Sequence, residues 1–467
     1  MKKISIILFA SAAIFCSCDD FLEKAPELQL TDSDVFGSEA RIDGAVMGVY
    51  TQMKENSFIG SKAYACVENM GDDMDNVSGN GIEATYSYNM EVGKETQDNY
   101  QTWNGAYQVI NSANTVLANL DAAPEAGGAN HKKYVQEIKF CRALSYYYLA
   151  FLYGKPYALD NGASLAVPLR LTAEASTANN DLKQSTVAEV YKQILEDTQD
   201  YSALPKAGDA NFSINRANVP AVHMLRMRIF MAMNDWSSAI TEGEAVTGFA
   251  LTAEVVGPFQ SNALCSESIF SFPFASSNKG GGSQSAACYF YATGNSLVLD
   301  RTSGIHSALY PNYNLAADAR VSGLIATANS GQDVLTKFTD KTTYLDWVPI
   351  YRYAETLLNL SECYYNTNQP GKAIAALKEV RRRSISADAD PIDIDALSGD
   401  ALKEAIYLER RAELVGEAIR ATDIKRRCET FVKKKGTAAE FSCDPNSSGY
   451  TWPIPTVETA NNKAIVE

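Results

Sequence analysis

Two stretches of the chain repeat one arrangement of apolar and small residues. In MRIFMAMNDWSSAITEGEAV, Phe230, Ala239 and Val246 fall at the same offsets as Tyr364, Ala373 and Val380 in SECYYNTNQPGKAIAALKEV. Apolar positions recur at helical spacing on both sides of Asn234-Asp235 and of Gln369-Pro370-Gly371, so each stretch reads as helix, tight turn, helix. Alanines where the two helices cross let their axes approach closely, which is the signature of a tetratricopeptide-type hairpin. These helical pairs occupy residues 217–247 and 349–384. Further amphipathic helices are predicted at Ala40 to Met53, Gln97 to Leu120, Lys132 to Tyr153, Val187 to Asp200 and Asp400 to Lys425. The expected architecture is mainly α: a tetratricopeptide-like hairpin scaffold with long irregular loops and a few short strands.

The loops at 70–96 and 271–314 are too long for connectors and are rich in Gly, Ser, Asn and aromatic residues. Loops of that length usually carry function. Short strands are predicted at Ser268 to Phe272 and Tyr289 to Tyr291, where apolar and aromatic residues bunch or alternate. No domain boundary shows in the body of the chain.

The N-terminus has a different pattern. Lys2 and Lys3 precede an apolar run from Ile4 to Phe15, which is shorter than the ~20 residues needed to cross a bilayer. It reads as a signal peptide over residues 1–17, cleaved before Cys18, because that cut places the small Ser17 beside it and a cut before Cys16 would place Phe15 there. Acylation of Cys18 would then anchor the mature chain, at ~0.8 kcal/mol per buried CH₂. Later apolar segments, such as Ala143 to Tyr153, are interrupted by polar residues within a few turns, so residues 18–467 are expected to form one soluble body.

Composition narrows the function classes. Hydrophobic residues make up 46% and charged residues 21%, a globular balance, and the formal net charge of -15 repels nucleic acid and anionic lipid. No nucleic-acid partner is expected, and the membrane is reached through the lipid alone. Cys66, Cys141, Cys265, Cys288, Cys363, Cys428 and Cys443 are scattered and His131, His223 and His306 lie far apart, so zinc, haem and iron–sulfur sites lack a ligand cluster. Asp72, Asp73 and Asp75 offer oxygens to Ca²⁺, yet the EF-hand register and its distal Glu are missing. No metal or other cofactor is expected. Gly280-Gly281-Gly282 and Gly79-x-Gly81 lack the strand, helix and lysine of a phosphate loop, and no serine sits in a Gly-x-Ser-x-Gly elbow.

One segment concentrates charge. Glu409, Glu413, Glu417, Arg410, Arg411 and Arg420 stand three or four apart, so they are expected to share a helix face and pair at ~0.3–0.5 kcal/mol each when exposed. Glycosidase chemistry would require two free carboxyls across a sugar-sized cleft. Acids interleaved with arginines favour the structural reading.

Read in order, several stretches resemble the SusD/RagB family of surface glycan-binding lipoproteins. They are CDDFLEKAP from Cys18, TWNGAYQVINSANTVL from Thr102, EIKFCRALSYYYLAFLYGKPY from Glu137, Asp318-Ala319-Arg320, PIYRYAETLLNLSECYY from Pro349, and LERRAELVGEAIRATDIKRR from Leu408 followed by TWPIP from Thr451. Ala418 stands where that family often has glycine. The resemblance implies a binder rather than an enzyme: an outer-membrane, lipid-anchored protein facing the cell exterior, delivering oligo- or polysaccharide to a SusC-like TonB-dependent transporter. The candidate glycan-contacting residues are Asp75, Tyr86, Tyr88, Trp103, Tyr289, Tyr291, Tyr310 and Tyr313. Aromatic faces suit sugar rings and polar groups suit their hydroxyls. Trp103 and Trp347 lie in helix-like segments, where core packing is the better reading, and Trp236 and Trp452 read as packing residues. The rival readings are a tetratricopeptide-type scaffold that binds proteins and a glycoside hydrolase.

Overall fold

The computed structural model describes residues 36–466 apart from 56, 77–84, 261–263, 277–296, 300–314, 328–332, 339, 341–342, 344 and 435–439. Cys18, Tyr289, Tyr291, Tyr310 and Tyr313 lie outside the described residues, as does the strand expected at Tyr289 to Tyr291. The N-terminal part holds helices α1 (Glu39–Met53), α2 (Lys62–Met70), α3 (Gln97–Ala122), α4 (His131–Tyr153) and α5 (Val187–Asp197). Helix α4 is buried almost all round from Tyr134 to Tyr153, and α1, α3 and α5 pack against it. That is the place in a fold for a helix with apolar residues on every side. A reciprocal cap between Thr186 and Glu189 fixes the start of α5.

The hairpins form where the repeated pattern predicts them. Helices α6 (Val219–Ala232) and α7 (Trp236–Glu244) make one, and α8 (Tyr353–Asn366) and α9 (Pro370–Ser384) the other. Each turns through an asparagine in the left-handed region, Asn234 at φ 58° and Asn368 at φ 57°. Asparagine is one of the few residues other than glycine that visits that region readily. Ala239 and Ala373, the small residues at the crossings, are fully buried. Trp452 is buried and Trp236 is half-buried against the second hairpin's core.

The predicted helix from Asp400 to Lys425 is two helices, α10 (Gly399–Leu414) and α11 (Arg420–Arg426). Between them Gly416 and Ala418 take φ values of 80° and 57°. The cause is remote in sequence: the Glu68 carboxylate accepts the N–H groups of Gly416 and Ala418 at 2.9 and 2.8 Å. Ala418 thus occupies a left-handed position that glycine fills without strain.

Strand β2 (Ser268–Phe272) pairs antiparallel with β6 (Val348–Arg352), with irregular register at its start, and β4 (Ile325–Thr327) pairs antiparallel with β5 (Asp333–Leu335). Trp347 departs from expectation. It precedes β6 outside any helix, half-buried, with its indole N–H donating to the Phe274 carbonyl at 3.3 Å. Among the described residues, Cys66, Cys141, Cys265, Cys363, Cys428 and Cys443 are free thiols. No helix among the described residues is long and apolar enough to cross a membrane.

Candidate functional site

The two long loops meet through a strand pair. Strand β1 (Met74–Asn76) runs antiparallel to β3 (Leu297–Leu299), with Met74 opposite Leu299 and Asp75 opposite Val298. Asp75 therefore stands where the first loop joins the second. The chain returns in a helical turn, Thr85–Tyr88. Two residues apart on such a turn, side chains point to nearly opposite sides. Tyr86 is 47% exposed and edges a cleft of about 540 Å³ with Gly93, Lys94, Thr96 and Gln97, whereas Tyr88 is 4% exposed. The Lys433 ammonium sits 4.1 Å from the Tyr88 ring centroid. Tyr88, placed by sequence among sugar-facing aromatics, thus packs inward.

The base of the first loop is clamped by the C-terminal part of the chain. Two of the three arginines between Glu409 and Ala421 reach back to it: Arg420 Nε donates to Asp72 at 2.5 Å and Arg411 Nε to Asp73 at 2.9 Å. Lys433 Nζ donates to the Asn69 carbonyl. Burial pushes the Asp72 carboxyl up, but Arg420 and Arg411 overcome it and hold it down at about 2. Burial pushes Glu68 up to about 7 despite its two backbone donors. Asp72 and Asp73, two of the three carboxylates weighed as Ca²⁺ ligands, are arginine partners here.

The charged segment does not pair along its own helix face. Arg352 Nε donates to Glu417 at 2.6 Å and its Nη1 to Glu413 at 2.7 Å and Glu267 at 3.2 Å. Arg320 bridges Asp318 and Glu409 at 2.8 and 2.7 Å, and Arg381 reaches Glu409 at 3.0 Å. Arg410 takes Asp423 at 2.9 Å. All of these groups are buried. The expected pairing at three- or four-residue spacing is corrected for Glu409, Arg410, Arg411, Glu413, Glu417 and Arg420: their partners come from other elements because the segment is threaded through the interior. Burial opposes ionisation of Glu413, but Arg383, Arg352 and Arg320 hold it well below the usual carboxylate range.

A second cleft of about 540 Å³ follows α3 beyond its first turn. Trp103 and Tyr107, with ring centroids 4.8 Å apart, form part of its lining. Trp103 is only 2% exposed and its indole N–H donates to Glu458 at 3.3 Å, so it supports this lining rather than presenting a face. Arg170 holds Glu174 at 2.7 Å and Glu458 at 3.3 Å across the opposite wall. Asn104, Gln108 and Gln52 line the same cleft. They were not singled out from the sequence, although the uncharged polar spacing along α3 was a visible signal.

Hairpins of this form on a mainly helical body define a tetratricopeptide-like scaffold, here with a face built from two converging loops. Residues 20–223 match the family model described as starch-binding associating with outer membrane, and residues 329–467 match that of the SusD family. A SusD superfamily protein of known crystal structure from Bacteroides fragilis is 44% identical, over 93% of this chain and 100% of that one, with a TM-score of 0.87. SusD-like protein P25 of Formosa agariphila is 23% identical over 91% of this chain and 90% of its own length. The structure of surface glycan-binding protein A from Bacteroides thetaiotaomicron aligns with a TM-score of 0.70 at 20% identity, covering 92% of this chain and 98% of that one. The chain belongs to the SusD/RagB family.

Proposed function

We propose that this protein is a lipid-anchored outer-membrane binder of oligo- or polysaccharide that faces the cell exterior and delivers its ligand to a SusC-like TonB-dependent transporter. The observation that carries the reading is the correspondence with a SusD superfamily protein at 44% identity over 93% of the chain. The convergence of the loops at β1 and β3 beside the exposed Tyr86 supports a binding face there. Flat aromatic surface beside polar groups fits a pyranose ring and its hydroxyls. Binding without cleavage is supported by the carboxylates of Leu408 to Arg427, which are occupied by arginines rather than free across a cleft.

The test uses protein lacking residues 1–18, screened on a glycan array and by affinity electrophoresis against plant, host and microbial polysaccharides. Retention on at least one class, with unchanged chain length after long incubation, is the expected result. No retention on any polysaccharide overturns the binding reading, and new reducing ends that vanish with a single carboxylate substitution overturn the non-enzyme reading. In cells, Cys18→Ala releases the protein and Cys16→Ala does not. Palmitate-analogue label lost from the Cys16 variant and kept by the Cys18 variant reverses the anchor assignment.

A further inference from the structure

Helix α3 is unusual for a surface helix in an acidic protein. Across Gln97–Ala122 its charged residues are Asp98 and Asp121, one near each end. Along the helix Gln97, Gln101, Asn104, Gln108 and Asn111 recur at alternating four- and three-residue steps, which lines them up in one stripe. Solvated helix faces ordinarily carry charged side chains. The part of the stripe that lines the second cleft, Asn104, Gln108 and Asn111, needs a different explanation.

Part of the stripe holds the wall in place. Asn111 Nδ2 donates to the Glu174 carbonyl at 3.0 Å and its Oδ1 accepts the Glu174 N–H at 2.8 Å. Arg170 is engaged by Glu174 and Glu458, so the cleft's ion group is internally matched with one negative charge over. Gln101 accepts from Lys62 Nζ at 2.7 Å and Gln97 edges the loop-face cleft, which leaves Asn104 and Gln108 as the stripe amides available to a ligand in this cleft. Gln52 Oε1 is buried without a hydrogen-bond partner at the cleft, and Asn104 and Gln108 line it one helical turn apart, about 6 Å along the axis. That interval is close to the length of one pyranose unit.

We infer that this groove on α3 is a second saccharide site, separate from the loop face, that takes a short neutral oligosaccharide. The inference rests on the glycan-binding reading and adds a location and a ligand class to it. Each amide offers both a donor and an acceptor, as each sugar hydroxyl does, so Asn104 and Gln108 match successive sugar units without regard to hydroxyl orientation. Half-buried Tyr107 supplies apolar lining beside them. The excess negative charge of Glu174 and Glu458 disfavours uronic or sulfated sugars, because Arg170 is already occupied.

Titration calorimetry of the chain lacking residues 1–18 separates the two faces, with maltoheptaose, cellohexaose, xylohexaose, mannohexaose and an oligogalacturonate as probes. The variants are Asn104→Ala with Gln108→Ala, and Tyr86→Ala. Both amide substitutions place a better helix former on the helix surface, so melting stays at the wild-type temperature. The double variant is expected to lose one component of the isotherm for a neutral probe, its affinity falling on the order of tenfold or more, while Tyr86→Ala leaves that component in place. An unchanged isotherm for the double variant overturns the groove while leaving the function proposed above intact. Groove binding of oligogalacturonate in preference to every neutral probe overturns the ligand class. Failure of wild type to bind any of the five probes overturns the neutral-oligosaccharide assignment, and the glycan array then decides whether the broader reading falls with it.

Discussion

Helix α3 and the segment Leu408 to Arg427 use charge in opposite ways. Across its 26 residues α3 carries Asp98 and Asp121 and presents neutral amides to a cleft. The C-terminal segment sends Glu409, Arg410, Glu413, Glu417, Asp423 and Lys425 into the interior. Taking each ion out of water costs several kcal/mol, which its partner and hydrogen bonds must offset, so such a network adds little net stability. Its effect is to decide which segments meet. Arg320, Arg352, Arg381 and Arg410 each find carboxylates on other elements, and a misplaced segment would leave ions bare. Between these two segments, buried charge marks the joints of the scaffold and neutral polarity lines a cleft.

The sharpest way to break that contrast is Arg352→Ala. The substitution strips Glu413, Glu417 and Glu267 of a shared donor in a fully buried setting. Removing one partner of a buried ion group costs about 3–5 kcal/mol. Urea unfolding should show a midpoint lowered accordingly, while the paired α3 substitutions leave it in place. An Arg352→Ala midpoint equal to that of wild type would mean the network is not what joins β6 to the C-terminal helices.

The hairpins and β2 were legible in the sequence because their signals are local: apolar periodicity, an alanine at each crossing, an apolar run bounded by polar turns. The break between α10 and α11 was not. It depends on Glu68, which lies 348 residues from Gly416. The fate of the charged segment was hidden for a related reason, since acids and arginines three or four apart look the same whether they pair along one helix or with Arg352 and Arg381 elsewhere. On the loop face, Tyr86 and Tyr88 both stand between small or polar neighbours in sequence, and only the helical turn at 85–88 sends one out and the other under Lys433. The meeting of the loops at β1 and β3 is likewise a long-range pairing with no local mark.

A smaller effect concerns pH. Asp72 and Glu362 are held at about 2 in the fold, burial being outweighed by arginines, so the stability they contribute is present above their ordinary values and lost as pH falls toward 2. Glu68 has the opposite sign. Its folded value of about 7 lies above the ordinary 4.5, so the folded chain holds a proton that the unfolded chain releases between those values. Stability from this group is greatest below pH 4.5 and falls as pH rises through 7. Glu68→Gln mimics the protonated form at every pH. Unfolding free energies should therefore show the variant gaining on wild type from pH 4.5 to 8, by on the order of 1–3 kcal/mol. A constant difference across that range would place the titrating joint elsewhere.

The smallest expected change in stability comes from Tyr86→Ala, and the prediction compares it with its neighbour. Tyr86 is 47% exposed at the edge of the loop-face cleft, so truncation removes little packed surface and leaves the melting temperature nearly unchanged. A stacked aromatic contributes ~0.5–1.5 kcal/mol, so a glycan held on this face should bind roughly two- to tenfold more weakly. Tyr88→Ala reverses the pattern, because that ring is buried beneath Lys433 and its loss resembles a core truncation of about 3 kcal/mol. Calorimetry and melting on the two variants give four readings with one expected sign each. Equal loss of stability in both would make the whole turn scaffold. Unaltered glycan affinity in Tyr86→Ala would move the loop-face contact off this tyrosine, leaving Asp75 at the junction of β1 and β3 as the next residue on that face to substitute.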